Sequence, residues 1–175
     1  KLQREEYTEA IKTLLRGVKK KSHDCNIALG KIYIGNIDTD IEKNDALAIK
    51  YFKNAFHMKP DIAASFLLEL DVVNLDKDIK FIKRLIKYGT DKKLDGVHLL
   101  KAKNLLNQKN YENSLEDIVD NLIKDLSNGV AEAGLILFEI FSSEINKYKK
   151  VPLTLKDNKV AAKFYKHYYN RYDGK

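Results

Sequence analysis

The stretch that most constrains the fold is Cys25–Ala64, CNIALGKIYIGNIDTDIEKNDALAIKYFKNAFHMKPDIAA. It holds two amphipathic segments, one around Ala28, Leu29, Gly30 and Tyr33 and a second from Asp45 to Met58. Ala48, Phe52 and Ala55 fall at i, i+4 and i+7, so they share one helical face, and the alanines on it let a second helix come close. Pro60, five residues beyond Ala55, stops this helix without interrupting it. An antiparallel helix pair is the expected outcome.

The pattern recurs. A shift of 38 residues lays Ala10 on Ala48, Leu14 on Phe52, Gly17 on Ala55 and Cys25 on Ala63. A two-helix unit repeated at this length predicts an all-α chain in which each pair buries its apolar faces by stacking on its neighbours, an α-α superhelix (solenoid).

Gly30-x-x-Tyr33 followed by Ala48-x-x-x-Phe52-x-x-Ala55-x-x-x-x-Pro60 resembles the tetratricopeptide pattern. The gap from Gly30 to Ala48 is longer than that pattern allows, and residues 35–44 form a longer connection inside the pair, so the stretch is more similar to the Sel-one-like repeat. The resemblance covers residues 7–70, with degenerate repeats over 71–146 and a basic, tyrosine-rich capping segment over 147–175 of a single domain. It implies a right-handed superhelix of about four helix pairs plus a C-terminal capping helix. It also implies a non-catalytic scaffold that holds another protein or peptide, in bacterial envelope assembly or host interaction. On that reading the first helix of each pair lines the concave face. The partner-binding positions are Asp24, Ile27, Lys31 and Ile34, and 38 residues on Ile62, Ser65, Glu69 and Val72.

Composition agrees with an all-helical protein. The chain has 175 residues, 44% of them apolar, with two prolines and eight glycines, which suggests one domain with a real core. One cysteine excludes an internal disulfide framework and leaves both cytoplasm and periplasm open. No apolar run approaches the roughly 20 residues a membrane span needs. The start at Lys1, inside a helical stretch, reads as an excised fragment or a mature exported chain, and the heavy use of Lys, Ile and Asn points to an AT-rich, bacterial genome.

Nine helices are expected. The first spans about Arg4 to Lys20; Asp24 caps the second, Asn44 or Asp45 the third, and Asp61 opens the fourth. A fifth starts at Asp76, with Ile79, Ile82, Leu85 and Ile86 on one face and Lys80, Lys83, Arg84 and Lys87 on the other, and ends at Gly89. The sixth carries Leu94 to Leu106 and the seventh Tyr111 to Leu126. The eighth, about Val130 to Asn146, is apolar nearly all round and calls for burial on more than one side or for a partner on an exposed face, with burial favoured. The last runs from Asp157 to about Tyr172.

Residues 147–175 carry nine Lys or Arg against two acids, while the first 146 residues balance at 23 basic and 23 acidic. One reading is an anion-binding module for nucleic acid or an acidic membrane surface, using Lys149, Lys150, Lys159, Lys163 and Lys166. The other is a capping helix, its Tyr165, Tyr168 and Tyr172 covering the end of the stack. His23, His57, His98 and His167 show no ligand spacing for zinc, and Asn36, Asp38, Asp40 and Glu42 lack the glycine and final glutamate of a calcium loop. Cys25, at a small-residue repeat position, reads as a buried inert thiol. No nucleophile motif or phosphate-binding loop occurs, so no cofactor, metal or catalytic role is implied.

Overall fold

The computed structural model describes residues 2–37, 41–142 and 165–166. Those residues form nine α-helices and one 3-10 turn, with no strand among them. The chain divides into two compact units, 1–88 and 89–175.

The first unit contains α1 (Leu2–Lys19), α2 (His23–Tyr33), α3 (Asp45–Met58), α4 (Pro60–Leu68), the single turn α5 (Val72–Leu75) and α6 (Ile79–Lys92), within which the division falls. The helix starts are set locally. The Ser22 hydroxyl, not Asp24, accepts the Cys25 N–H at 3.3 Å to cap α2. Asn44 accepts the Leu47 N–H at 2.9 Å to cap α3. Pro60 rather than Asp61 opens α4; having no N–H, it removes one donor that a first turn would leave unpaired. Asp78 accepts the Phe81 N–H at 3.0 Å and so starts α6, two residues after the expected Asp76. The predicted stop at Gly89 is overturned: α6 runs on to Lys92 and closes through left-handed Lys93, with the Leu94 N–H reaching the Gly89 carbonyl at 2.9 Å.

Helix α3 is the hub of this unit. Ala48, Phe52 and Ala55 are fully buried, as their spacing implies. Tyr33 of α2 stacks on Tyr51 at 5.8 Å, and Gly30 lies so close to the Phe52 ring that a Cβ there would sit 2.5–2.7 Å from three ring carbons. At the other end His23 Nε2 donates to the Lys59 carbonyl at 3.2 Å, so α2 and α3 are antiparallel. Phe66 of α4 stacks on Phe52 at 4.8 Å, across the tight Lys59–Pro60 connection, which makes α3 and α4 antiparallel too. Helix α6 follows α3 in the same direction: Lys53 meets Asp76, Asp78 and Phe81, Phe56 meets Phe81, His57 meets Arg84, and Phe56 meets Tyr88. In this unit, then, α2 and α4 are parallel, α3 and α6 are parallel, and neighbours in sequence alternate.

The buried face of α6 differs from the one its periodicity predicts. Ile79 stands outward, 61% exposed, and Phe81 takes the core position beside Ile82 and Leu85. Phe56 meets the Phe81 ring edge to face at 5.6 Å, a contact that favours a ring there and rotates the buried stripe.

The second unit holds α7 (Val97–Leu106), the 3-10 turn Tyr111–Ser114, α8 (Leu115–Ser127) and α9 (Ala131–Phe141). Its core joins Leu99 and Ala102 of α7, Ile118, Leu122 and Leu126 of α8, and Ala133, Ile136, Leu137 and Ile140 of α9. Ile123 of α8 is exposed. Helix α9 ends at Phe141, where Ser142 turns extended, rather than near Asn146. The expected helix over 157–172 lies outside the described residues, apart from Tyr165 and Lys166, which are helical.

Candidate functional site

The parallel pair α2 and α4 carries most of the positions expected to face a partner. On α4, Ile62, Ser65 and Glu69 are exposed on one side of the helix. On α2, Asp24 is exposed and Lys31 half-buried, with its Nζ over the Phe66 ring of α4, 5.3 Å from the centroid. That contact holds the two helices' outer edges side by side and leaves Glu69 free of any ion pair with Lys31. Ile34 is half-buried at the α2 C-cap. Ile27 and Val72 are buried in the core, so their side chains are withdrawn from the surface. The open stripe of α2 is Asp24, Ala28 and Lys31, at i, i+4 and i+7; the apolar character of Ile27 was the signal for placing it inside. Phe66, at the join between the helices, was not foreseen as part of this surface.

A polar seam closes the α3–α6 contact. Lys53 Nζ bridges Asp76 at 2.8 Å and Asp78 at 3.1 Å and lies 4.7 Å from the Phe81 centroid. Burial works to lower the Lys53 pKa, but the bonds to Asp76 and Asp78 outweigh it and hold the ammonium above its ordinary value. Asp78 is held below the usual carboxylate value by the Phe81 N–H and by Lys53. Arg84 donates to His57 Nδ1 at 3.3 Å; a guanidinium cannot accept, so that nitrogen carries no proton. Burial, then Arg84 and Lys53, lower the His57 pKa accordingly. Tyr88 donates a short hydrogen bond to Asp61, which raises the phenol pKa. Every one of these groups ties one helix to another.

In the second unit the start of α7 has Gly96 at its N-cap and no side-chain cap of its own. Asp125, 26 residues on in α8, supplies one: its fully buried carboxylate accepts the Leu99 N–H at 2.6 Å. The second carboxylate oxygen is buried without a hydrogen bond. Burial raises the Asp125 pKa, only partly offset by the Leu99 N–H and the nearby His98. His98 itself bonds through Nδ1 to Asn121 Oδ1 at 3.0 Å, and Asn121 donates to the Asp117 carbonyl at 2.5 Å. This network positions α7 on α8. Sequence reading missed it, because both partners look like ordinary surface polar residues.

Of the basic segment, Lys149, Lys150, Lys159 and Lys163 lie outside the described residues. Lys166 is exposed, with its Nζ 5.4 Å from the Phe138 centroid, and Tyr165 stacks on Phe141 at 5.6 Å against the second unit's core. Cys25 is half-buried, packed where a side chain on Gly17 would strike its sulfur. Among the described residues, no three His, Cys, Asp or Glu side chains group as metal ligands, and no helix is long and apolar enough to cross a membrane.

No family model, no curated protein and no solved structure matches this chain.

Proposed function

We propose that the chain is a Sel-one-like helical-repeat scaffold that holds another protein or peptide on the face formed by α2 and α4. The observation that carries this reading is the order of helices in the first unit: α2 beside α4 and α3 beside α6, each pair parallel, with sequence neighbours antiparallel. Stacked helical hairpins have that order, and one layer of first helices is then left without a covering layer. The groups at the surface of that layer are mixed: exposed Asp24, Ile62, Ser65 and Glu69, with half-buried Lys31, combine both charges with one apolar side chain, as non-obligate binding surfaces do. The packing of Tyr165 into the second unit favours the capping reading of the C-terminal segment over an anion-binding one.

The test is partner capture with charge-reversed variants. Lys31→Glu and Glu69→Lys should together weaken capture from the source cell at least tenfold. Among the described residues, the cation–π contact removed is Lys31–Phe66, about 0.5–1 kcal/mol, so the melting curve should barely move. Unchanged capture, or a steep fall in melting temperature, would place the binding surface elsewhere.

A further inference from the structure

We propose that the outer face of α6 is a docking surface for an anionic lipid bilayer. This is a second surface, independent of the α2–α4 face. Lys80, Lys83, Arg84 and Lys87 fall at i, i+3, i+4 and i+7, and all four are exposed on the side of the helix opposite Phe81, Ile82 and Leu85. One acid, Asp91, lies at i+4 from Lys87 on the same exposed face, so four cations there outnumber one carboxylate. The other acids nearby are occupied with other groups. Asp76 and Asp78 hold Lys53, Asp78 also caps the helix, and Asp61 accepts from Tyr88. Arg84 donates to the unprotonated nitrogen of His57, which leaves its charge uncompensated. Among the described residues, none of the three lysines is in an ion pair.

Ile79 decides which polyanion this face suits. It lies on the same exposed side, more exposed than any other large apolar residue described. An apolar side chain set among lysines is the composition of an interfacial helix, where it enters the acyl boundary while the cations meet the headgroups. A nucleic acid would reward different residues. The face offers no exposed aromatic ring for a base to stack on, and no Asn or Gln to read a base edge.

Each lysine near an anionic surface strengthens binding about fivefold, so three together give about a hundredfold. Ile79 adds about tenfold by burial in the interface. The experiment sediments the full chain with phosphatidylcholine vesicles, with and without about one-third phosphatidylserine, at low salt. The wild type should bind the anionic vesicles and not the neutral ones. Lys80→Gln/Lys83→Gln/Lys87→Gln should lose about a hundredfold, and Ile79→Ser about tenfold, with unchanged circular dichroism. If the triple variant is misfolded, Lys83→Gln alone decides, through a fivefold loss. The variant Lys149→Gln/Lys150→Gln/Lys159→Gln/Lys163→Gln should keep binding. The proposal is overturned if the wild type ignores anionic vesicles. It is overturned equally if only the variant at 149–163 loses binding, or if a single-stranded oligonucleotide is held through the same lysines with no effect of Ile79→Ser.

Discussion

Asp125 allows the packing of the second unit to be tested by what a single carboxylate does. It is fully buried, its Oδ2 receives the Leu99 N–H at 2.6 Å, and its other oxygen has no hydrogen bond. Asp125→Ala leaves that N–H without an acceptor in the interior, a cost of about 1–3 kcal/mol before any cavity is counted. Asp125→Asn keeps a carbonyl for the Leu99 N–H, removes the charge, and sets its amide nitrogen where the partnerless oxygen now lies. Its cost at neutral pH should therefore stay within about 1 kcal/mol. The pH dependence gives the sign. Burial raises the folded-state pKa above the ordinary 3.8, so between the unfolded and folded values the native state binds more protons than the unfolded one. The wild type thus loses stability from this group as pH rises through that window, and Asp125→Asn does not. Urea unfolding followed by circular dichroism, from about pH 4 to about pH 7, should show Asp125→Asn gaining on the wild type as pH rises. If Asp125→Asn instead falls behind with rising pH and matches Asp125→Ala at neutrality, the charge itself stabilises α7 and the reasoning fails.

Two further substitutions test the helix contacts. Gly30→Ala drives a methyl into the Phe52 ring, which is buried and stacked on Phe66 and has little room to yield, so thermal unfolding should show a loss of about 1–3 kcal/mol. Adding Phe52→Leu should recover part of that loss, and independent costs would disprove the contact. Lys93→Gly, at a φ of 54°, should stabilise α6 by about 1 kcal/mol, because a left-handed residue strains any side chain with a Cβ; a loss in chemical denaturation would contradict this.

Much of this architecture could be read before any coordinates, because it is written locally. Asn44 and the Ala48–Phe52–Ala55 stripe define α3 by capping and periodicity alone, and the small side chains at Gly30 and Ala55 mark close approach. What escaped depends on partners distant in sequence. Whether Ile79 or Phe81 faces inward is settled by the Phe56 ring, some 25 residues earlier. Helix α6 passes buried Gly89 with an ordinary helical backbone, and left-handed Lys93 ends it with hydrogen bonds that glycine would form with less strain. The Asp125 cap crosses 26 residues, beyond the reach of any capping motif. On the α2–α4 face, the 38-residue shift located Asp24, Lys31, Ser65 and Glu69 on the surface, but carried the same register to Ile27 and Val72, which packing draws inside.

Helix direction within the first unit is best settled by nuclear Overhauser contacts. Cross-peaks from the Lys31 ε-methylene to the Phe66 ring, and from Phe56 to both Phe81 and Tyr88, are expected, with none from Lys31 to Ile62. Peaks joining Lys31 to the start of α4, or Phe56 to neither ring, would mean that the hairpins do not lie side by side, and the proposed partner-holding face would vanish with them.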